Sequence, residues 1–130
     1  MQKHILMTST QLEDKQKSIL FDGICDVNIS EDALTFTYLE KKQSIKVTIK
    51  ASVDTFEIER KGELSSFILL KTNELTKGYM DCEFGKIDLN FMMRKYFFLP
   101  HLIIVEYDVI VDGEVQNSLR IICKIKEVEA

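Results

Sequence analysis

A period-two alternation of apolar and polar residues runs through most of this chain and constrains its fold more than any other feature. "ALTFTYLE" sets Leu34, Phe36 and Tyr38 against Thr35 and Thr37, and "SIKVTIKASV" sets Ile45, Val47 and Ile49 against Lys46, Thr48 and Lys50. "TFEIERKG", "HLIIVEYDVIVDG" and "SLRIICKIKEV" repeat the pattern with Phe56 and Ile58, with Ile103, Val105 and Tyr107, and with Leu119, Ile121, Cys123 and Ile125. Side chains of a strand point alternately to its two faces, so each segment has one apolar and one polar face. Antiparallel sheet with one face wet has this pattern; buried parallel strands do not. In the first 30 residues Ile19, Phe21, Cys25, Val27 and Ile29 share a parity, and the one helix candidate, Asp14 to Leu20, is weak.

About ten strands can be counted, joined by short connections at Glu31-Asp32, Lys41-Lys42-Gln43, Asp54 and Asp112-Gly113. A meander with one inward face closes most economically into a barrel, because closure removes exposed sheet edges. The expectation is a single all-β domain over residues 1–130, an antiparallel up-and-down barrel of about 8–10 strands, with a two-sheet sandwich as the alternative. A chain of 130 residues, 45% hydrophobic, is long enough for a core without metal or disulfide support.

Two turns are readable from parity. In "CEFGKIDLNF" the inward set changes from even positions (Met80, Cys82, Phe84) to odd ones (Ile87, Leu89, Phe91) across Gly85. A two-residue loop at Gly85-Lys86 would pair Phe84 with Ile87, Cys82 with Leu89 and Met80 with Phe91, all inward; a bulge at Gly85 in one continuous strand is the alternative. Around Asp112-Gly113 the inward residues are odd on both sides. A clean two-residue loop there is excluded, and a three-residue loop or a bulge is required.

"RKG" at 60–62, "GYMDCEFGKIDL" at 78–89 and "VEYDVIVDGEVQNSLRI" at 105–121 together resemble the DUF1934 family of small bacterial proteins, as do "FDGICDVN" and "LTFTYLE" upstream. The resemblance covers roughly residues 20–125. It implies a calycin-like (lipocalin-like) barrel and, since the family has no known function, implies no activity. Two departures stand out: Cys82 where the family carries a small hydroxyl residue, and the apolar "RKYFFLPHL" where it is usually polar.

Charge and motifs exclude several functions. The net charge of −4 and the absence of a basic stripe argue against nucleic-acid binding. No stretch of about 18 apolar residues suggests a membrane span. Three cysteines cannot all pair and form no CxxC, which suits a reducing cytoplasm, and Ile5-Leu6-Met7 is too short for a signal-peptide core. The two histidines, His4 and His101, have no spaced companions, so no metal or other cofactor is expected. No nucleophile motif, phosphate loop or carboxylate pair points to a catalytic residue, and an enzyme ranks behind binding roles.

The candidate site rests on charged residues at inward parity. Arg60 continues Phe56 and Ile58, and Glu40 continues Leu34, Phe36 and Tyr38. An inward charge is costly unless paired, so the two are read either as a polar clamp in a ligand cavity, with Tyr38 and Tyr107 as further lining, or as strand-end residues that reach solvent. Placing Val53 opposite Phe56 sets Arg60 level with Phe36, some ~13 Å along the strand from Glu40 at about 3.3 Å per residue. "MMRKYFFLPHL" cannot bury all its apolar residues on one face; Tyr96, Phe97, Phe98 and Leu99 are therefore expected in a lid, a homodimer contact or a loop covering the floor. Many large inward residues, Phe21, Phe36, Phe56, Phe84 and Phe91 among them, would fill a narrow barrel. The leading expectation is a barrel binding a small, partly apolar ligand inside; the other is a filled barrel that contacts a partner through residues 92–102.

Overall fold

In the computed structural model, which describes residues 1–40 and 44–128, the alternating segments become ten antiparallel strands closed into a barrel. They are β1 (Gln2–Gln11), β2 (Lys17–Ile29), β3 (Ala33–Glu40), β4 (Ile45–Ser52), β5 (Thr55–Lys61), β6 (Ser66–Lys71), β7 (Leu75–Cys82), β8 (Gly85–Leu99), β9 (Leu102–Val111) and β10 (Glu114–Glu127). Each pairs with its sequence neighbour and β1 pairs with β10. The weak helix candidate at 14–20 is not a helix: Lys17 opens β2, and local propensity yields to pairing with β1. The connection expected at Lys41-Lys42-Gln43 lies outside the described residues.

Sequence alternation translates into burial along β3, β4 and β5, where Phe36, Ile49 and Phe56 are among the most deeply buried side chains. Three strands keep their inward face only by inserting a bulge. Leu20 is the extra residue on β2, Arg94 on β8 and Gln116 on β10. The first moves Ile19 to the outer face, where it is 66% exposed, so the shared parity of Ile19 with Phe21 does not carry inward.

The Asp112-Gly113 turn takes the form parity requires. Both residues have positive φ (51° and 79°), the signature of a type I′ loop, and the bulge at Gln116 restores the inward phase. The β7–β8 hairpin forms, but two residues earlier than expected. Glu83 and Phe84 make the turn, Cys82 pairs with Gly85 and Met80 with Ile87. Gly85 follows the turn at φ +123°, a conformation that favours glycine. Phe84 is therefore no core residue: it stands at the hairpin tip, 91% exposed. The shift also avoids facing Glu83 with Asp88, since Asp88 pairs with Tyr79. Gly78 serves β7 differently, because a Cβ there would lie 2.1 Å from the Phe67 carbonyl oxygen.

The two barrel ends differ. Both chain termini and the turns 30–32, 53–54, 72–74 and 100–101 mark one end, which is closed by Lys3, Tyr96, Phe98 and Ile125. The turns after β1, β5, β7 and β9 surround the other end, where the inward residues Ile68 and Leu89 are only partly buried and Met80 and Ile87 are exposed. β2 pairs with β3 only from Val27 to Ile29, so the wall is parted between the upper halves of these strands.

Candidate functional site

The expected site residues fall at the less filled end, which we call the mouth. β5 pairs with β4 through Ala51 and Phe56, two residues away from the expected register, because Val53 and Asp54 form the loop. Asp54 holds that turn, accepting hydrogen bonds from the Thr55 and Ser52 hydroxyls at 3.1 and 3.3 Å. Arg60 is consequently level with Val47 and Tyr38, not Phe36. The remaining offset from Glu40 is two residues, roughly 7 Å, within reach of an arginine side chain. The Arg60 Nη2 donates to Glu40 Oε2 at 2.7 Å. The pair is half-buried and bridges strands β3 and β5 over the intervening β4.

Tyr38 lies beneath this pair and stacks on Phe21 across the parted β2–β3 wall, with ring centroids 4.2 Å apart. Tyr107 points inward from β9 with its ring edge-on to Phe91 at 6.2 Å. The two rings are 7% and 3% exposed. Among the described residues neither hydroxyl has a hydrogen-bond partner. Every fully buried side-chain nitrogen or oxygen there does have one, so both hydroxyls border space that water reaches. Burial pushes both phenols up from their ordinary range; at Tyr38 Glu40 adds to the rise and Arg60 opposes it. Both are thus neutral donors at physiological pH.

The 92–102 segment is neither a lid nor a loop. Residues up to Leu99 belong to β8, and the Arg94 bulge reverses their phase. Met93 faces inward before the bulge, Tyr96 and Phe98 after it, while Phe97 and Leu99 point outward. This is how the strand accommodates its consecutive apolar residues. The adjacent charges Arg94-Lys95 were the signal of a phase change. The Arg94 Nε donates to Asp108 Oδ2 at 2.6 Å on the outer wall, and the Ser118 hydroxyl donates to Oδ1 at 2.7 Å.

Tyr96 has a role that sequence reasoning missed. Its hydroxyl crosses the closed end and donates to the Ser52 carbonyl at 2.5 Å, with the Thr55 carbonyl at 3.1 Å. It braces β8 against the β4–β5 turn. Nothing in the sequence links positions 52 and 96. Of the cysteines, Cys123 is buried and its thiol is pushed up to about 12 by desolvation; Cys25 and Cys82 are partly exposed. His4 sits on the outer face of β1, 2.8 Å from Asp22, and His101 lies in the β8–β9 turn. Among the described residues no three His, Cys, Asp or Glu side chains cluster as a metal site would need.

A closed antiparallel meander with one filled end and a polar pair at the other defines the class of up-and-down β-barrels. The chain belongs to the family described as a domain of unknown function, DUF1934, whose profile matches residues 5–122. Among solved structures it is similar to the YwiB protein of Bacillus subtilis, at 14% identity and TM-score 0.71, over 98% of this chain and 91% of that one. No curated protein matches it.

Proposed function

We propose that this barrel binds a small, partly apolar molecule in the mouth half of its interior. The observation that carries this reading is the pair of inward, neutral phenols, Tyr38 and Tyr107, which have no partner among the described residues. A buried phenol usually finds a partner, and a ligand carbonyl, carboxylate or ether would accept from both. Phe21, Phe91 and Leu89 supply apolar surface beside them, and Arg60 has donors beyond the one held by Glu40 to orient a polar end. Phe97 and Leu99, exposed on the outer wall, favour the second reading, a partner-contact module.

Native mass spectrometry of the protein purified from its own source tests the first reading. The expected result is a species heavier than the chain, lost from the Tyr38→Phe/Tyr107→Phe double variant while the fold is kept. A bare chain mass in the wild type, with no saturable uptake of small carboxylates or apolar fluorophores, would overturn it.

A further inference from the structure

The outer wall built by β2, β1, β10, β9 and β8 departs from the rule that a barrel's outer face is polar. In cross-strand register Ile19, Thr8, Ile122, Ile104 and Phe97 form one row across five strands. Its ends are exposed, Ile19 at 66% and Phe97 at 47%, and its middle is partly covered. The next row toward the chain termini adds Leu6, Leu102 and Leu99.

Cations flank this apolar band. On one side Lys17, Arg120 and Lys95 stand in a single register row; on the other are Lys124 and Lys126. The facing carboxylates are already engaged, Glu106 by Arg120 at 3.1 Å and Asp22 by His4 at 2.8 Å. Among the described residues no carboxylate lies within salt-bridge distance of the four lysines. A chain of net charge −4 thus concentrates uncompensated positive charge around one apolar band.

We propose that this wall docks an acidic segment of another protein, with apolar side chains on the Ile122 row and carboxylates on Lys17, Lys124 and Lys126. The relief of the wall favours a polypeptide over a lipid surface. The centre of the band is a floor between cations: a depression of about 40 Å³ over Thr8 and Ile122 is walled by Lys17 and Lys124, and one of about 250 Å³ lies beside His4, Ile24, Lys126 and Glu127, whose carboxylate Lys3 engages. A bilayer needs apolar groups that protrude past the cations, whereas a chain can lower side chains between them. A second copy presenting the same wall would set the five cations against themselves.

Fluorescence anisotropy with an extended peptide alternating glutamate and leucine tests this, with the lysine–leucine peptide as control. The expected result is saturable binding of the acidic peptide only, weakened roughly tenfold or more by Lys17→Glu/Lys124→Glu/Lys126→Glu and by added salt. Phe97→Ser should weaken binding without altering its salt dependence, and circular dichroism should be unchanged in both variants, whose altered residues are exposed. Equal binding of both peptides, or acidic-peptide binding undiminished by charge reversal, would overturn the proposal. So would no peptide binding, whether or not the protein binds phosphatidylglycerol vesicles or self-associates.

Discussion

At the end of the barrel where the chain begins and finishes, Tyr96 spans the interior and bonds two carbonyls of the opposite turn; toward the mouth, Tyr107 and Tyr38 are as inward and bond nothing among the described residues. All three are inward tyrosines, yet one is a brace and two have no partner among the described residues. The difference lies in what faces them. Tyr96 meets a tight turn whose carbonyls project across the floor. The mouth tyrosines meet the rings of Phe21 and Phe91, and the strand ends beyond them carry exposed Ile87 and Met80. Satisfying an inward polar group closes an end; leaving it unsatisfied beside reachable space is the ground on which the proposed ligand rests.

The largest effect should come from the closed half. Phe56→Ala removes a fully buried ring and should cost about 3–5 kcal/mol in denaturant unfolding, whereas Phe84→Ala at the mouth hairpin should change stability by under ~0.5 kcal/mol. Comparable losses would break the contrast between the ends. Tyr96→Phe should cost about 1–3 kcal/mol, because the Ser52 carbonyl, with the Thr55 carbonyl sharing the same proton, loses its donor, while Tyr107→Phe should be near neutral in stability. A large loss from Tyr107→Phe would reveal a structural partner for that hydroxyl and remove the ground for a ligand.

Arg60→Met tests the mouth alone. Its ion pair is part-exposed, so the change should alter stability by less than ~1 kcal/mol and act instead on ligand retention, read by native mass spectrometry. The smallest effect concerns the thiols. Cys82 at the mouth hairpin should react first with iodoacetamide and Cys123 last, since its pKa is about 12 and its sulfur is buried. The folded pKa lies above the ordinary 9.0, so Cys123's contribution to stability is complete below pH 9 and fades as pH rises toward 12. Cys123→Ala should therefore soften the alkaline decline of the urea midpoint.

Alternation alone determined that this chain is antiparallel β and that the strands share one inward face; that ten of them close into a barrel, and do not split into a two-sheet sandwich, was decided by the pairing of β1 with β10. Parity is a local property, and it also required an irregularity after Asp112-Gly113, which the Gln116 bulge supplies. Tertiary structure decided the rest. The register moved by two residues in β4–β5 and by four in β7–β8 because turn chemistry, Asp54 in one and Gly85 in the other, sets where a hairpin folds. A shift by an even number of residues preserves parity, so no pattern of inward residues could reveal it. The first shift brought Arg60 within reach of Glu40 and the second put Phe84 in solvent. The Tyr96 brace and the outer-wall row Ile19–Thr8–Ile122–Ile104–Phe97 depend on which strands lie side by side or face each other across the closed barrel. Contacts between residues more than a hundred positions apart, such as Thr8 and Ile122, exist only once β1 and β10 have joined.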